Sequence, residues 1–337
     1  ELKYDSVGST FAFSLYFDPT NVEHRILWQP THYHIVTVEH NGEQLIKGFV
    51  LNQSFGSESK KRLASISGYS LTGVLEDCQI PTKLYPLQSD GKTLKEIAEK
   101  LLSEFKLGLQ VDESVSSKVN SKFDKTTASE TQTIKEYLNS IAAQKNVILS
   151  HTPDGKLLFT KANTNTKPIY HFADGQPATS IELSINGQAM HSHITIQKQA
   201  SIDGGNASEQ TIENPYVQFV YRPLVKTQTS GTDNDSGDAA RNVLSSELKN
   251  IVLKITTNVW EIDGKVIKPN SIISVTSPEN YLFEKTNWFV ESVSLKGNEK
   301  ETTAVLTCVL PEVYNQETVK NIFGNEDWKN YKQYITG

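Results

Sequence analysis

Two histidine pairs have a spacing suited to metal ligation. His32-Tyr33-His34 and His191-Ser192-His193 each place two imidazoles two residues apart, and alternate residues of an extended strand share a face. Two such rings are half of a tetrahedral zinc site. No cysteine or paired carboxylate lies close by in sequence, so both pairs read as surface or interface histidines and no metal is expected. Asp233-Asn234-Asp235-Ser236-Gly237-Asp238 has the composition of a calcium loop. With Gly237 at the sixth position, however, Val243 falls at the twelfth, where calcium requires an acid, and the stretch reads as a loop tip. Gly68-Tyr69-Ser70-Leu71-Thr72-Gly73 is one residue too long for a nucleophile elbow and joins no strand to a good helix. Glu76-Asp77 and Glu326-Asp327 sit on neighbouring faces of polar stretches, as solvated charges do. Trp260, Trp288 and Trp328 could stack a sugar; packing in a core or interface is the preferred reading, because the first two fall inside apparent strands. No catalytic, cofactor-binding or metal-binding residue is expected, and no cofactor.

The elements around these residues are mostly strands. The stretch from Ile267 to Tyr314 reads as three strands separated by Pro278-Glu279-Asn280 and Lys296-Gly297-Asn298, with Pro311 ending the last. Alternation places Ala304, Leu306, Cys308 and Leu310 on one face and Thr303, Val305, Thr307 and Val309 on the other. A preceding strand, Ile251 to Trp260, leads through Asp263-Gly264 into the same antiparallel meander. Near the start, strands are expected over Phe11–Phe17, Tyr33–Glu39, Gln44–Leu51 and Arg62–Tyr69, with Asn41-Gly42 as a hairpin turn and Gly56–Lys61 as a polar loop. The period then changes. Thr93-Leu94-Lys95-Glu96 has the capping-box form, and Leu94, Ile97, Ala98, Leu101, Leu102 and Phe105 follow at helical spacing. A second helix is expected from a capping box at Ser129-Glu130-Thr131-Gln132, with Ile134, Tyr137, Leu138, Ile141 and Ala142 as its stripe. A hairpin through Pro153-Asp154-Gly155 closes this small α/β module. Further strands are expected over Ser180–Ile185 and His193–Gln197. A polar excursion follows from Ala200, then a helix from Asp238 to about Leu248.

At 337 residues the chain is long enough for two or three domains. Its 37% hydrophobic and 21% charged residues are ordinary for a globular protein. No apolar run nears the roughly 18 residues of a membrane helix, so no membrane insertion is expected. Cys78 and Cys308 lie far apart in apolar β-like contexts and are expected as buried thiols of a reducing compartment. A net charge of −6 argues against a surface that grips nucleic-acid phosphates. It is compatible with a wall past which DNA slides.

Ser67 to Cys78, Thr93 to Phe105, Glu130 to Phe159 and the residues from Trp260 to Tyr314, in that order, resemble segments of the baseplate hub proteins of Mu-like contractile phages. Ser67 to Cys78 is similar to the segment that ends the first barrel of that family, Leu75, Asp77 and Cys78 matching directly while Tyr69-Ser70 replaces Arg-Asp. Thr93 to Phe105 resembles its T-L-x-E-I-A helix. Glu130 to Phe159 resembles its helix-and-hairpin element, with Asn146 where glycine is common. Trp260, Pro269-Asn270, Trp288 and Leu310-Pro311-Glu312-x-Tyr314 resemble its closing strands. The likeness implies a hub similar to that of T-even phages and to the hub region of secretion-system spike proteins. The fold class would be mainly β with an α+β module, that is, two tube-type antiparallel β-barrels plus a small α/β domain. The implied division is 1–86 for the first barrel, 87–166 for the module, 167–199 and 251–312 for a split second barrel, 200–250 for an excursion packed with the module, and 313–337 for a docking tail.

The implied function is structural: a trimeric hub that joins a sixfold tail tube to a threefold spike and forms part of the DNA ejection channel, in the virion baseplate assembled in the host cytoplasm. Expected partners are two further copies, the tail tube or tube-initiator protein, the spike, the tape measure and baseplate wedge proteins, and DNA only transiently. Because the chain ends at Gly337, the spike is expected as a separate polypeptide. A competing class is a cell-wall-binding or peptidoglycan-degrading tail protein with Thr93 to Val111 as a LysM-like module; the polar stretch Asp112 to Ala128 between the two helices disfavours it. In the tail, Val319, Ile322 and Phe323 form one expected helical stripe, and Trp328, Tyr331 and Tyr334 a second, both suited to partner docking.

Overall fold

The computed structural model describes residues 1–58, 61–85, 87–123, 128, 131–175, 177–198, 208–228, 236–298, 300–315 and 317–323. It is mainly β with an α+β module, and it divides into two compact units. The first comprises Glu1–Ala162 together with Ser294–Gly297; the second comprises the rest.

The first unit opens with β1 (Leu2–Tyr4), β2 (Thr10–Tyr16), α1 (Val22–Leu27), β3 (Ile35–His40), β4 (Glu43–Glu58) and β5 (Lys61–Ser70). The strands pair antiparallel in the order β1-β2-β5-β4-β3. On β2, Phe11 is buried and Phe13 and Leu15 are half-buried on one face, while Thr10, Ala12, Ser14 and Tyr16 face solvent, as a period of two requires. Asn41 (φ 50°) and Gly42 (φ 80°) are both left-handed, the backbone of the primed turn that matches strand twist. Of the expected polar loop Gly56–Lys61, the described residues Gly56, Ser57, Glu58 and Lys61 are instead ladder, and positions 59 and 60 lie outside the described residues. β4 runs through Glu58 and pairs residue by residue with β5 as far as Lys61, since backbone pairing does not depend on polar side chains. No apolar periodicity marks α1, which starts where Asn21 Oδ1 accepts the Glu23 N–H at 2.8 Å.

The α/β module continues this unit with α2 (Val74–Asp77), α3 (Leu94–Glu104), β6 (Leu109–Val111), α4 (Ser116–Val119), α5 (Ile134–Ala143), β7 (Ile148–His151) and β8 (Leu157–Thr160). Thr93 and Glu96 form the expected capping box of α3. A capping box of α5 lies at Thr133 and Glu136, where Ile134 begins the buried stripe and the cap directly precedes it; Ser129 and Glu130 of the expected box lie outside the described residues. β7 and β8 are the expected hairpin; β6, unforeseen, runs parallel to β8 on its other side. Leu94, Ile97, Leu101, Ile134, Tyr137, Leu138 and Phe159 meet in one core, which also takes in Val7 from the turn between β1 and β2. The four residues Ser294–Gly297 join this unit at Glu1, whose Oε1 lies 3.2 Å from Ser294 Oγ and 3.5 Å from Lys296 Nζ.

The second unit contains β9 (His171–Ala173), β10 (Ala178–Ile185), β11 (His193–Lys198), β12 (Ser208–Glu213), β13 (Pro223–Gln228), α6 (Ser236–Leu248), β14 (Ile251–Thr257), β15 (Glu261–Ile262), β16 (Lys265–Val266), β17 (Ser271–Ser277), β18 (Leu282–Gly297), β19 (Thr302–Val309) and α7 (Glu312–Asn315). Its main sheet runs β10-β14-β19-β18-β17-β9. Ala304, Leu306, Cys308 and Leu310 are buried as one face, and on the neighbouring strand the buried Leu253 and Ile255 of β14 stand opposite Cys308 and Leu306. The meander differs from expectation in one respect. β14 ends at Thr257 and pairs with β19 and β10, while the small β15–β16 hairpin around Asp263-Gly264 intervenes before β17. β11, expected in the second barrel, belongs to a separate three-stranded sheet, antiparallel to β12 and parallel to β13. Its alternation specifies a half-buried face but not the sheet it joins. Cys78 and Cys308 are both free, Cys308 buried and Cys78 half-buried. Among the described residues no helix is long and apolar enough to cross a membrane.

Candidate assembly interface

Apolar side chains are exposed on each unit while the backbone beneath them is tied down. In the first unit none of the six residues of α1 is buried. Ile26 is 60% exposed, Val22 and Leu27 slightly less, and Tyr16 at the end of β2 is 62% exposed. Tyr16 lies opposite Leu63 in the ladder, and Phe17 packs edge-on against Phe55 with ring centroids 5.0 Å apart. The connection is ordered by polar contacts. Asp18 accepts hydrogen bonds from Thr20 N and Oγ1, the Asp18 N–H donates to His24 Nδ1, and Gln53 Nε2 donates to the Trp28 carbonyl at 3.2 Å. A fixed backbone carrying large apolar groups into water is the signature of a surface meant to be covered.

In the second unit the loop from Asn214 to Arg222 has the same character. Tyr216 Oη donates to the Lys320 carbonyl at 2.9 Å, and Asn321 Nδ2 donates to the Pro215 carbonyl at 3.0 Å. At the other end the Arg222 guanidinium donates to the carbonyls of Gly187 and Gln188. Between these anchors Phe219 is 80% and Tyr221 75% exposed, Tyr221 lying against the His193 ring at 5.2 Å.

The residues singled out in the sequence are placed as follows. His32 and His34 lie with ring centroids 5.5 Å apart. His191 and His193 are drawn to different partners: His191 holds Glu247 through both its backbone N–H (2.8 Å) and its Nδ1 (2.7 Å), whereas His193 Nδ1 meets Ser192 Oγ at 2.9 Å. Among the described residues no cluster of three metal-ligating side chains forms. Gly68 and Gly73 are required by close approach: a Cβ on Gly68 would stand 1.8 Å from the Phe49 carbonyl oxygen, and one on Gly73 would run into the Tyr69 ring. Glu76 pairs with Lys135 at 2.6 Å, and Asp77 holds the Tyr69 hydroxyl, whose pKa burial pushes well up. Trp288 is fully buried in β18. Trp260 lies beyond the end of β14 rather than inside a strand, its indole N–H donating to the Thr303 carbonyl at 3.0 Å. Positions 233–235, Glu326, Asp327, Trp328, Tyr331 and Tyr334 lie outside the described residues.

Val319, Ile322 and Phe323 do not form the expected helical stripe. After α7 the described chain has no helix, because its polar groups are taken up by the loop just described: Ile322 N donates to Tyr216 Oη at 3.3 Å and Phe323 packs on the Tyr216 ring at 5.9 Å. That part of the tail lies on its own chain.

Serine hydroxyls meet imidazoles at three places among the described residues: Ser9 with His151 (2.5 Å), Ser192 with His193 (2.9 Å) and Ser274 with His171 (3.0 Å). All three serines are buried, so none offers an open nucleophile. Purified protein is expected to leave no clearing zone that depends on Ser9, Ser192 or Ser274 in peptidoglycan zymography; a zone abolished by replacing one of them would reverse this reading.

Residues 72–161 match the family described as baseplate hub protein gp44-like, second domain, a span that coincides with the α/β module from α2 to β8. No curated protein matches the chain. Among solved structures, the fold is similar to the 43 kDa tail protein of prophage MuSo2 from Shewanella oneidensis, at 20% identity over 93% of this chain and 94% of that one, with a TM-score of 0.77. It is also similar to a tail protein from Neisseria meningitidis MC58, at 18% identity over 93% and 92%, with a TM-score of 0.74. A more distant likeness, at 7% identity over 96% and 74% with a TM-score of 0.52, is to the E. coli c3393 protein, described as a component of the type VI secretion system with structural similarity to T4 bacteriophage tail proteins gp27 and gp5.

Proposed function

From the premise that residues 72–161 match the second domain of a gp44-like baseplate hub, we propose that this chain is a structural protein of a phage-like tail, a trimeric hub that joins the tail tube to the spike. The coincidence of that match with a module that has its own core is the observation that carries the reading. Two tube-type barrels per copy, one built on β1–β5 and one on β10, β14 and β17–β19, would let three copies present six barrels to a sixfold tube and a threefold face to a spike. The exposed apolar side chains on α1 and the 214–222 loop supply surfaces for neighbouring copies and for wedge, tape measure or tube-initiator proteins. The net charge of −6 suits a channel wall that does not hold DNA phosphates. Residues Trp328, Tyr331 and Tyr334 are proposed to dock onto the spike or a neighbouring copy.

Averaged electron images of assembled tails are the test. Three copies in a ring on the tail axis are expected, and in particles lacking residues 324–337 the ring should lose its spike. Six copies, or an off-axis position, would overturn the hub reading; a spike retained without the tail would overturn the docking role alone.

A further inference from the structure

The β15–β16 hairpin separates two cavities of the second unit. Asp263 (φ 50°) and Gly264 (φ 72°) form its turn, and both cavities share Ile262 and Asp263. On one side a cavity of about 440 Å³ is lined by Tyr170 and Phe172 together with Glu261 and Asp263. On the other side a groove of about 620 Å³ carries Lys167, Lys265 and Lys268, and among the described residues that line it Asp263 is the one acid. The groove therefore has a positive wall in a chain whose net charge is −6.

Between the lysines the lining is apolar. Val266 and Ile267 are buried, Pro168, Ile262 and Pro269 are half-buried, and Ile169 is 41% exposed. The backbone beneath them is pinned. Ile169 N–H donates to the Ile272 carbonyl at 2.7 Å and Ile267 N–H to the Trp260 carbonyl at 2.9 Å. Ser271 Oγ donates to the Lys268 carbonyl at 2.9 Å, and Asn163 N–H to Asn270 Oδ1 at 2.8 Å. Walls held in this way can take a guest without first ordering a loop, which removes one of the costs of binding.

We propose that this groove docks an acidic segment of a partner protein, an extended stretch in which an aliphatic side chain lies between carboxylates. The aliphatic group covers the apolar floor, in a volume within the range of ligand sites, and the carboxylates meet the ammonium groups of Lys167, Lys265 and Lys268. Glu261 and Asp263 repel the same segment from the far side of the hairpin, so its position is set by charge. Two features favour a peptide over nucleic acid. Among the described lining residues there is no aromatic ring on which a base could stack. A long polyanion would also run past the lysines onto a chain of net charge −6, whereas a short segment feels charges within a screening length of about 8–10 Å.

Fluorescence anisotropy of the full chain with labelled peptides tests this. A Glu-Glu-Leu-Glu-Glu peptide should bind saturably, and its Gln-Gln-Leu-Gln-Gln counterpart at least about tenfold more weakly. A Glu-Glu-Gly-Glu-Glu peptide should also bind about tenfold more weakly, because it has no aliphatic group to bury. Binding of the first peptide should weaken as salt rises from about 0.05 to about 0.15 M, and by at least about tenfold when Lys167→Glu and Lys265→Glu are combined. Both lysines are exposed, so the double variant should melt as the wild type does; should it not fold, the peptide series on the wild type still decides. Absence of saturable binding, equal binding of the Glu and Gln peptides, undiminished binding by a folded double variant, or an oligothymidine of equal charge that binds more tightly than the acidic peptide would overturn the proposal.

Discussion

Trp288→Ala is expected to cost the second unit about 3–5 kcal/mol, the range for truncating a buried large aromatic. The side chain is fully buried in the middle of β18, between strands β17 and β19, and its indole N–H is satisfied by Thr286 Oγ1 at 2.9 Å. Alanine removes that volume and also leaves the Thr286 hydroxyl without its donor, so cavity and polar penalties act in the same direction. At roughly 2–4 °C per kcal/mol for a unit of this size, its thermal transition should fall by about 6–20 °C. Calorimetry would read this as a lower midpoint of the transition in which β18 melts. A loss below about 1 kcal/mol, as for a surface substitution, would show that the strand is not held in this way.

The second large effect is expected at Gly68. Its added Cβ would stand 1.8 Å from the Phe49 carbonyl oxygen and 2.9 Å from the Phe11 ring, and on the neighbouring strand a Cβ on Gly48 would stand 2.0 Å from the Tyr69 carbonyl oxygen. Carbonyl groups in a paired ladder cannot turn aside as a side chain tip can, so Gly68→Val must separate β4 from β5 locally. We expect a loss at or above the top of the roughly 1–3 kcal/mol range for overpacking, confined to the first unit. Gly56→Ala on the same β4 is the control, since its Cβ would meet nothing nearer than 4.0 Å, and it should be close to neutral. Equal losses at Gly56 and Gly68 in denaturant titrations would mean that strand propensity, not close approach, governs this sheet.

What could be read in the sequence was local chemistry. Thr93 with Glu96, and Asn41 with Gly42, specify a cap and a turn within a few residues, and each is found where it was expected. The α5 cap shows where that kind of reading falls short: Ser129-x-x-Gln132 and Thr133-x-x-Glu136 both have the required form, and the capping box among the described residues is the second, directly before the buried side chain of Ile134. β6 has three residues and gains its identity from a parallel partner 48 positions away, Leu109 opposite Leu157, which no periodicity can reveal. The alternation of β11 was visible, but not that it pairs with β12 and β13. The candidate interface was the least legible part. α1 has no buried stripe to give it a period, so the Asn21 cap was its one sequence signal, and an exposed Phe219 reads the same as a buried one until the surface around it is known.

The membership of Ser294–Gly297 in the first unit also sets an order in time. During synthesis the strands β1–β5 and the α/β module emerge early, but the contacts of Glu1 with Ser294 and Lys296 have no partner until the ribosome has passed residue 297. At roughly 5–20 residues per second, making residues 163–293 delays that step by on the order of ten seconds. Throughout that interval the nascent chain carries a first unit lacking its last four residues, and the second unit, interrupted by those same four residues, cannot be complete before the first. Completion of either unit is thus tied to near-completion of the whole chain.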